Sequence, residues 1–317
     1  MSVIPHIKGH KLFEPKEEIQ FMAFSQPCLI GSIAAIILSI ALWASFGLNY
    51  GVDFKGGSMI EVRSKQGPAD IGALRNAVGA LGLGSVQIQA FGSDRDVLIR
   101  VEQQKGGDEA QQDALAKVLS AIGDGYEERR KEVVGPTVSS ELRTTGLIAV
   151  LCSIIAIICY VWFRFEWQFA IGAVVALIHD VIITIGVFSL LQLEFDLSTV
   201  AALLTILGYS VNDTVVVSDR IRENLRKYKK MELPQLLNMS INQTLARTLM
   251  TSLTTLVVLL ALYVLGGEVI RNFSFAMVFG VIIGTYSSIF VAAPLLARLG
   301  IKRDWSGIAR GAPAKAG

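Results

Sequence analysis

LSTVAALLTILGYSVNDTVVVSDRIREN, from Leu197 to Asn224, is the stretch that decides how this chain folds. It stays apolar up to Tyr209, carries Asn212-Asp213, returns to Val215-Val216-Val217 and then breaks into charge. A helix that crosses a bilayer needs about 20 apolar residues, so residues 197–217 read as one span. An ionised carboxylate at the centre of such a helix costs roughly 2.5 to 3.5 kcal/mol. Such a residue faces a protein interior or a water path, has a partner, and by default marks a proton or ion pathway. The other reading ends the span early and leaves Asp213 among the lipid headgroups. The three valines that follow it favour the first.

Five further runs match that length, so the chain reads as an α-helical polytopic membrane protein with six transmembrane helices. The spans are about 28–48, 142–163, 169–191, 197–217, 245–265 and 273–296, with Pro294 tolerable near the end of the last. Hydrophobic residues make up 52% of the chain and charged residues only 18%, clustered between the apolar runs. A net charge of +2 is too small to suggest a nucleic-acid partner. Cys28, Cys152 and Cys159 all lie in apolar runs, with no metal or disulfide spacing. The first run is too long for the core of a cleaved signal peptide, and Glu14, Glu17 and Glu18 sit in its leader, so it reads as an uncleaved anchor. Basic residues in short loops set orientation. Arg220, Arg222, Arg226, Lys227, Lys229 and Lys230 follow span four, and Arg298, Lys302, Arg303 and Arg310 follow span six. Both termini (1–27 and 299–317) are therefore expected on the cytoplasmic side, with the large loop 49–141 outside.

That loop reads as a domain in its own right. SMIEVRS, SVQIQAF, DVLIRVEQ and YEERRKEVV alternate as strands, and PADIGALRNAVGALG and DEAQQDALAKVLSAIG read as helices. The order β-α-β-β-α-β is the ferredoxin-like arrangement, α+β in class. The loop holds no histidine or cysteine, and its carboxylates sit where solvated charge is expected, so it reads as a binding or mechanical module and not an enzyme. Two glycine-rich elements tie it to the membrane. Gly56 and Gly57 permit positive φ or close approach, and Gly135-Pro136 ends any continuing strand. Both are candidate hinges, and both suit ordinary linkers equally well.

Four motifs carry a family resemblance: GVDFKGG after span one, VGPTVSSEL before span two, ALIHDVIIT in span three and GYSVNDTVVVSDRIRENLR in span four. Together they resemble the SecF type of the SecD/SecF family, related to the resistance–nodulation–division transporters. Ser218 stands where the family usually has phenylalanine, and Ser139 and Ser140 replace a Gly-Ala pair; no charged motif residue is lost. The resemblance implies a subunit of a SecD–SecF complex in the bacterial inner membrane. Such a complex uses the proton motive force to assist preprotein translocation through SecYEG and SecA and release on the periplasmic side. It implies a separate SecD chain as partner, with SecYEG, SecA, YajC, YidC, the translocating preprotein and membrane lipid as further contacts. No cofactor, metal or catalytic group is expected. Matching the motifs implies a proton path using Asp213 and the arginine of QTLARTLMTSLTT, Arg247.

The residues bear on that mechanism directly. Spans four and five are antiparallel neighbours, and Asp213 lies six residues before Asp219, about 9 Å at the helical rise. Arg247 lies just inside the start of span five, so the two can sit at similar depth. A titratable aspartate with a switchable partner suits proton carriage; a static ion pair is the alternative. His179 and Asp180 lie midway along span three, as relay or as support, and Asn212 and Thr251 are candidate supporting groups. The paired aspartates Asp180 and Asp213 also suggest an intramembrane aspartyl protease, but Gly-x-Gly-Asp is absent, the sequence being Ser210-Val211-Asn212-Asp213. A proton-driven exporter of a small molecule or lipid shares the same logic.

Overall fold

A computed structural model describes residues 19–301. The leader glutamates and Lys302, Arg303 and Arg310, used above for orientation, lie outside the described residues. In chain order the elements are α1 (Ser25–Phe46), β1 (Asn49–Tyr50), α2 (Val52–Lys55), β2 (Gly57–Ser64), α3 (Ile71–Gly79), β3 (Val86–Phe91), β4 (Ser93–Val101), α4 (Gly107–Ile122), β5 (Tyr126–Val134), α5 (Pro136–Arg164), α6 (Trp167–Leu191), β6 (Glu194–Phe195), α7 (Leu197–Lys227), α8 (Leu233–Leu265), α9 (Arg271–Ser287) and α10 (Ala293–Arg298).

Among the described residues six helices are long and apolar enough to cross a membrane, α9 and α10 counting as one through a π turn at Ser288–Ala292. The wide turn lies just before Pro294, which has no N–H to give. α6, α7 and α9 form the centre, with half or more of their apolar windows buried, against 11–17% for α1, α5 and α8. Small residues let the centre close. A side chain at Gly280 would run into Ile206, and a Cβ at Gly284 would lie 3.1 Å from that of Ser210. Ile206 and Ser210 of α7 thus seat on a Gly280–Gly284 stripe of α9, a packing that membrane helices favour. Gly186 of α6 admits Ser39 of α1 in the same way.

The helices overrun the expected spans. α7 continues to Lys227 and α8 begins at Leu233, so most of the basic segment expected as a loop is helix. Arg226 and Lys227 suit the negative end of the α7 dipole, and Pro234 suits the first turn of α8. VGPTVSSEL is likewise mostly helix. Gly135 is the N-cap and Pro136 opens α5, so the expected domain edge at residue 141 falls inside a helix.

The 49–141 segment folds as β2-α3-β3-β4-α4-β5, with an antiparallel sheet ordered β3-β4-β2-β5. Ile60, Val62, Val97, Ile99 and Val101 point from one sheet face into a core with Leu74, Val78, Leu115 and Val118 of the two helices. The other face, with Met59, Leu98 and Arg100, lies over the α6–α7 connection across a cleft lined also by Glu194, Asp196 and Arg271. There Arg100 pairs with Glu194.

Short elements with no periodic signal of their own seat this domain. β1 pairs in parallel with β6, Asn49 opposite Glu194. Asp53 accepts from the Leu197 N–H at 2.9 Å, and Asp196 caps α7 by accepting from Thr199 N–H at 2.7 Å. Arg143 of α5 donates to the Phe54 carbonyl. Gly56 and Gly57 have φ of +73° and +115°, and a Cβ on Gly57 would meet the Val101 carbonyl at 2.5 Å. Gly57 pairs with Val134, so the two connections to the membrane helices run side by side.

Candidate functional site

The polar groups of the central helices form two adjoining sets. The first surrounds Asp180 of α6, which is fully buried. Its Oδ2 accepts from Ser210 Oγ of α7 at 2.6 Å and from Ser287 Oγ of α9 at 2.8 Å. Its Oδ1 lies 2.8 Å from His179 Nδ1. His179 is buried as well and stacks on Tyr286 of α9, ring centroids 6.1 Å apart. The Tyr286 hydroxyl donates to the Cys28 carbonyl of α1 at 2.9 Å and lies 3.0 Å from Ser32 Oγ. His179 Nε2 has no hydrogen-bond partner. Consecutive residues on a helix point about 100° apart, yet the two side chains curl together and bond to one another.

The second set surrounds Asp213, one turn beyond Ser210 on α7. Asp213 is 2% exposed, and its Oδ2 has no hydrogen-bond partner among the described residues. Thr285 of α9 and Arg247 of α8 are its hydroxyl and charged neighbours. Thr285 Oγ1 lies 2.7 Å from Ser252 Oγ of α8, and Tyr209 of α7 donates to Ser252 at 3.3 Å. Three helices are therefore laced together around the carboxylate. Thr214 and Thr248 add two buried hydroxyl oxygens without partners.

The helix lengths align the proton-path candidates. Asp213 stands fourteen residues before Lys227, the end of α7, and Arg247 fourteen after Leu233, the start of α8. Both are about 21 Å from the α7–α8 turn at the helical rise. Arg247 is exposed along this chain and makes no ion pair with Asp213 within 4.0 Å. The structure brings the two to one depth and one neighbourhood without closing the pair.

The supporting candidates separate. Asn212 is exposed and turned away from the buried face of α7. Thr251 donates to the Thr248 carbonyl of its own helix at 2.9 Å. Ser252, one of the span-five hydroxyls that the sequence offers for bonding across helices, does so to Tyr209 and Thr285, whereas sequence reasoning does not reach Ser210, Thr285, Tyr286 and Ser287. Two signals were available: Ser210 precedes Asp213 by one turn and shares its helix face, and TYSS interrupts an otherwise apolar run. Among the described residues no group of three His, Cys, Asp or Glu side chains is placed to hold a metal.

Ionic contacts also stand near both ends of the helix bundle. Arg164, at the end of α5, bonds Asp219 at 2.9 Å. On the opposite side, burial pushes the Glu194 carboxyl above its usual range, more than Arg100 pulls it down, with Asp196, Asp53 and Glu132 adding to the rise.

The chain matches known proteins along nearly its whole length. Residues 114–302 match the model for the C-terminal region of SecD/SecF protein-export membrane proteins, and residues 41–68 match the SecD/SecF GG motif. It is 46% identical to protein translocase subunit SecF of Vibrio alginolyticus, with 93% of this chain and 94% of that protein covered. It is 44% identical to protein translocase subunit SecDF of Brucella abortus, covering 92% of this chain but 38% of that longer protein. The crystal structure of SecDF from Thermus thermophilus, a translocon-associated membrane protein, superposes with a TM-score of 0.80 at 37% identity, covering 90% of this chain and 39% of that one. SecDF in a super-membrane-facing form gives 0.67 at the same identity over 91% and 39%. The chain belongs to the SecD/SecF family of protein-export membrane proteins.

Proposed function

We propose that the chain is the SecF-type subunit of a SecD–SecF complex in the bacterial inner membrane. In this role it uses the proton motive force to help preproteins through SecYEG and SecA and to release them on the periplasmic side. The SecDF relatives, of which this chain matches well under half, support a SecD-type partner that supplies the other half. The exposed Arg247 and Asn212 would then face that partner. The 49–141 segment is read as a ferredoxin-like periplasmic module, with both termini cytoplasmic, and SecYEG, SecA, YajC, YidC, the preprotein and lipid are the expected contacts.

The observation that carries the reading is Asp213, a carboxylate buried within a membrane helix, with one oxygen unpartnered and an arginine at its own depth. Proton binding there removes the charge that Arg247 answers, and the helices gain a second favourable packing. One charge crossing 100 mV releases about 2.3 kcal/mol, whereas switching a two-state element fully takes about 5.5 kcal/mol. One proton therefore biases the motion, and preprotein binding, a pH gradient or a further proton completes it. Gly56-Gly57 and Gly135-Pro136 are the hinges through which the outer module would swing. The two SecDF forms fit this chain unequally at equal identity, so SecDF itself takes more than one arrangement.

The test is Asp213→Asn in a complex with its SecD-type partner. The variant assembles and loses the proton-dependent part of preprotein export. Normal export by an assembled Asp213→Asn complex refutes the proposal.

A further inference from the structure

We infer that Asp180 is a positioning residue for Asp213: its carboxylate clamps α7 to α9 and so sets where Asp213 stands relative to Arg247, and it does not itself carry the transported proton. This rests on the proton-site reading of Asp213. Both Asp180 oxygens are engaged, Oδ2 by two serine hydroxyls and Oδ1 by His179, whereas Asp213 keeps Oδ2 without a partner. A proton is taken up most readily by an oxygen that no neighbour already engages, and both Asp180 oxygens are engaged.

The clamp holds the two helices that build the Asp213 surroundings. Ser210 precedes Asp213 by three residues on α7. Ser287 follows Thr285 by two on α9, and Thr285 neighbours Asp213 and bonds to Ser252 of α8. The same helices meet through Ile206 and Ser210 on Gly280 and Gly284, two points where α9 contributes no side chain to the contact. Smooth small-residue seams allow sliding, and a hydrogen-bonded tie across them restricts it. His179 braces the carboxylate from its own helix and rests on Tyr286, whose hydroxyl reaches α1. The tie thus runs from α1 through Tyr286 of α9 to α6, and from Asp180 to α7 and back to α9.

The ionisable group beside Asp213 is Arg247 from α8, and Tyr209 on its own helix, Tyr286 from α9 and Asp180 with His179 from α6 belong to the hydrogen-bonded and stacked sets that adjoin it. A misplaced α7 changes the distance to each of them, so the titration of Asp213 reports on the clamp. The experiment is infrared titration of the protonated Asp213 carboxyl band, assigned by its loss in Asp213→Asn, together with proton-driven export. Both are measured on the reconstituted SecD-containing complex.

Asp180→Ala is expected to move the midpoint of that band by about half a pH unit or more and to lower export roughly tenfold, from the loss of two interhelical hydrogen bonds. Asp180→Asn is expected to restore both, because one amide oxygen can accept from Ser210 and Ser287 while the amide N–H₂ turns to His179. Ser287→Ala, a smaller cut in the same tie, moves the midpoint in the same sense and serves if Asp180→Ala does not assemble. The inference is overturned if Asp180→Asn abolishes export as completely as Asp213→Asn, since Asp180 would then carry a proton. It is also overturned if neither Asp180→Ala nor Ser287→Ala moves the Asp213 midpoint. Normal export by Asp213→Asn would instead overturn the underlying reading.

Discussion

Two aspartates lie buried on adjacent central helices, and their surroundings differ in kind. Asp180 has polar partners from three helices on its two oxygens. Asp213, one turn beyond a serine that belongs to the Asp180 set, keeps one oxygen unpartnered and has its arginine nearby but unpaired. A closed carboxylate ties helices together. An open one, held at the depth of a cation, has somewhere for a proton to go. The expense of burying a carboxylate in a membrane helix is met in one place by structure and left in the other for chemistry.

The comparison breaks most readily at Arg247. Arg247→Met is expected to reduce proton-dependent export roughly hundredfold, about 2.7 kcal/mol at about 1.36 kcal/mol per tenfold, because it removes the cation held at the depth of Asp213. If replacing both Asp213 and Arg247 by neutral residues restored export, the pair would be a static ion pair and Asp213 would rank with Asp180. Next in size is the seam that both carboxylates share. Gly280→Leu drives a side chain into Ile206 and is expected to lower the thermal stability of the purified complex by about 1 to 3 kcal/mol. A thermal unfolding scan reads this. An unchanged midpoint would mean that α7 and α9 do not need their close approach.

The smallest effect is expected outside the membrane helices, at Glu194. Burial holds its carboxyl above the usual range, so the folded arrangement favours the protonated form. Its contribution is complete below the unfolded value, near 4.3 by the usual figure for glutamate, and is lost as pH rises through the raised value. Hydrogen exchange, corrected for its intrinsic pH dependence, should show protection of the paired segments Asn49–Tyr50 and Glu194–Phe195 falling across that window. Glu194→Gln should flatten the dependence. A carboxylate that titrates in this window without altering export is the contrast that sharpens the claim for Asp213.

How much of this was legible in the sequence depended on how local the signal was. The six long helices were readable because each apolar run is its own evidence, and the strands and helices of residues 49–141 because period-2 and period-3.6 patterns repeat there. Helix ends were not. Amphipathic turns beyond the apolar run, Asp219 to Lys227 and Leu233 to Arg247, look like loop when judged by hydropathy alone. Asp213 stood out because charge in an apolar run is rare. The closure of Asp180 was hidden, since Ser210 and Ser287 come from helices 30 and 107 residues away in sequence. The same distance hid the seating of GVDFKGG, where Asp53 meets Leu197 across 144 residues.

The central claim is that Asp213 binds the proton that export consumes. The direct measurement is proton flux in proteoliposomes holding the SecD-containing complex and the translocation channel, with a pH-sensitive dye inside and a preprotein in transit. The wild-type complex should dissipate an imposed pH gradient faster while preprotein moves, and the assembled Asp213→Asn complex should show no such acceleration. Equal, preprotein-dependent flux in both would contradict the account.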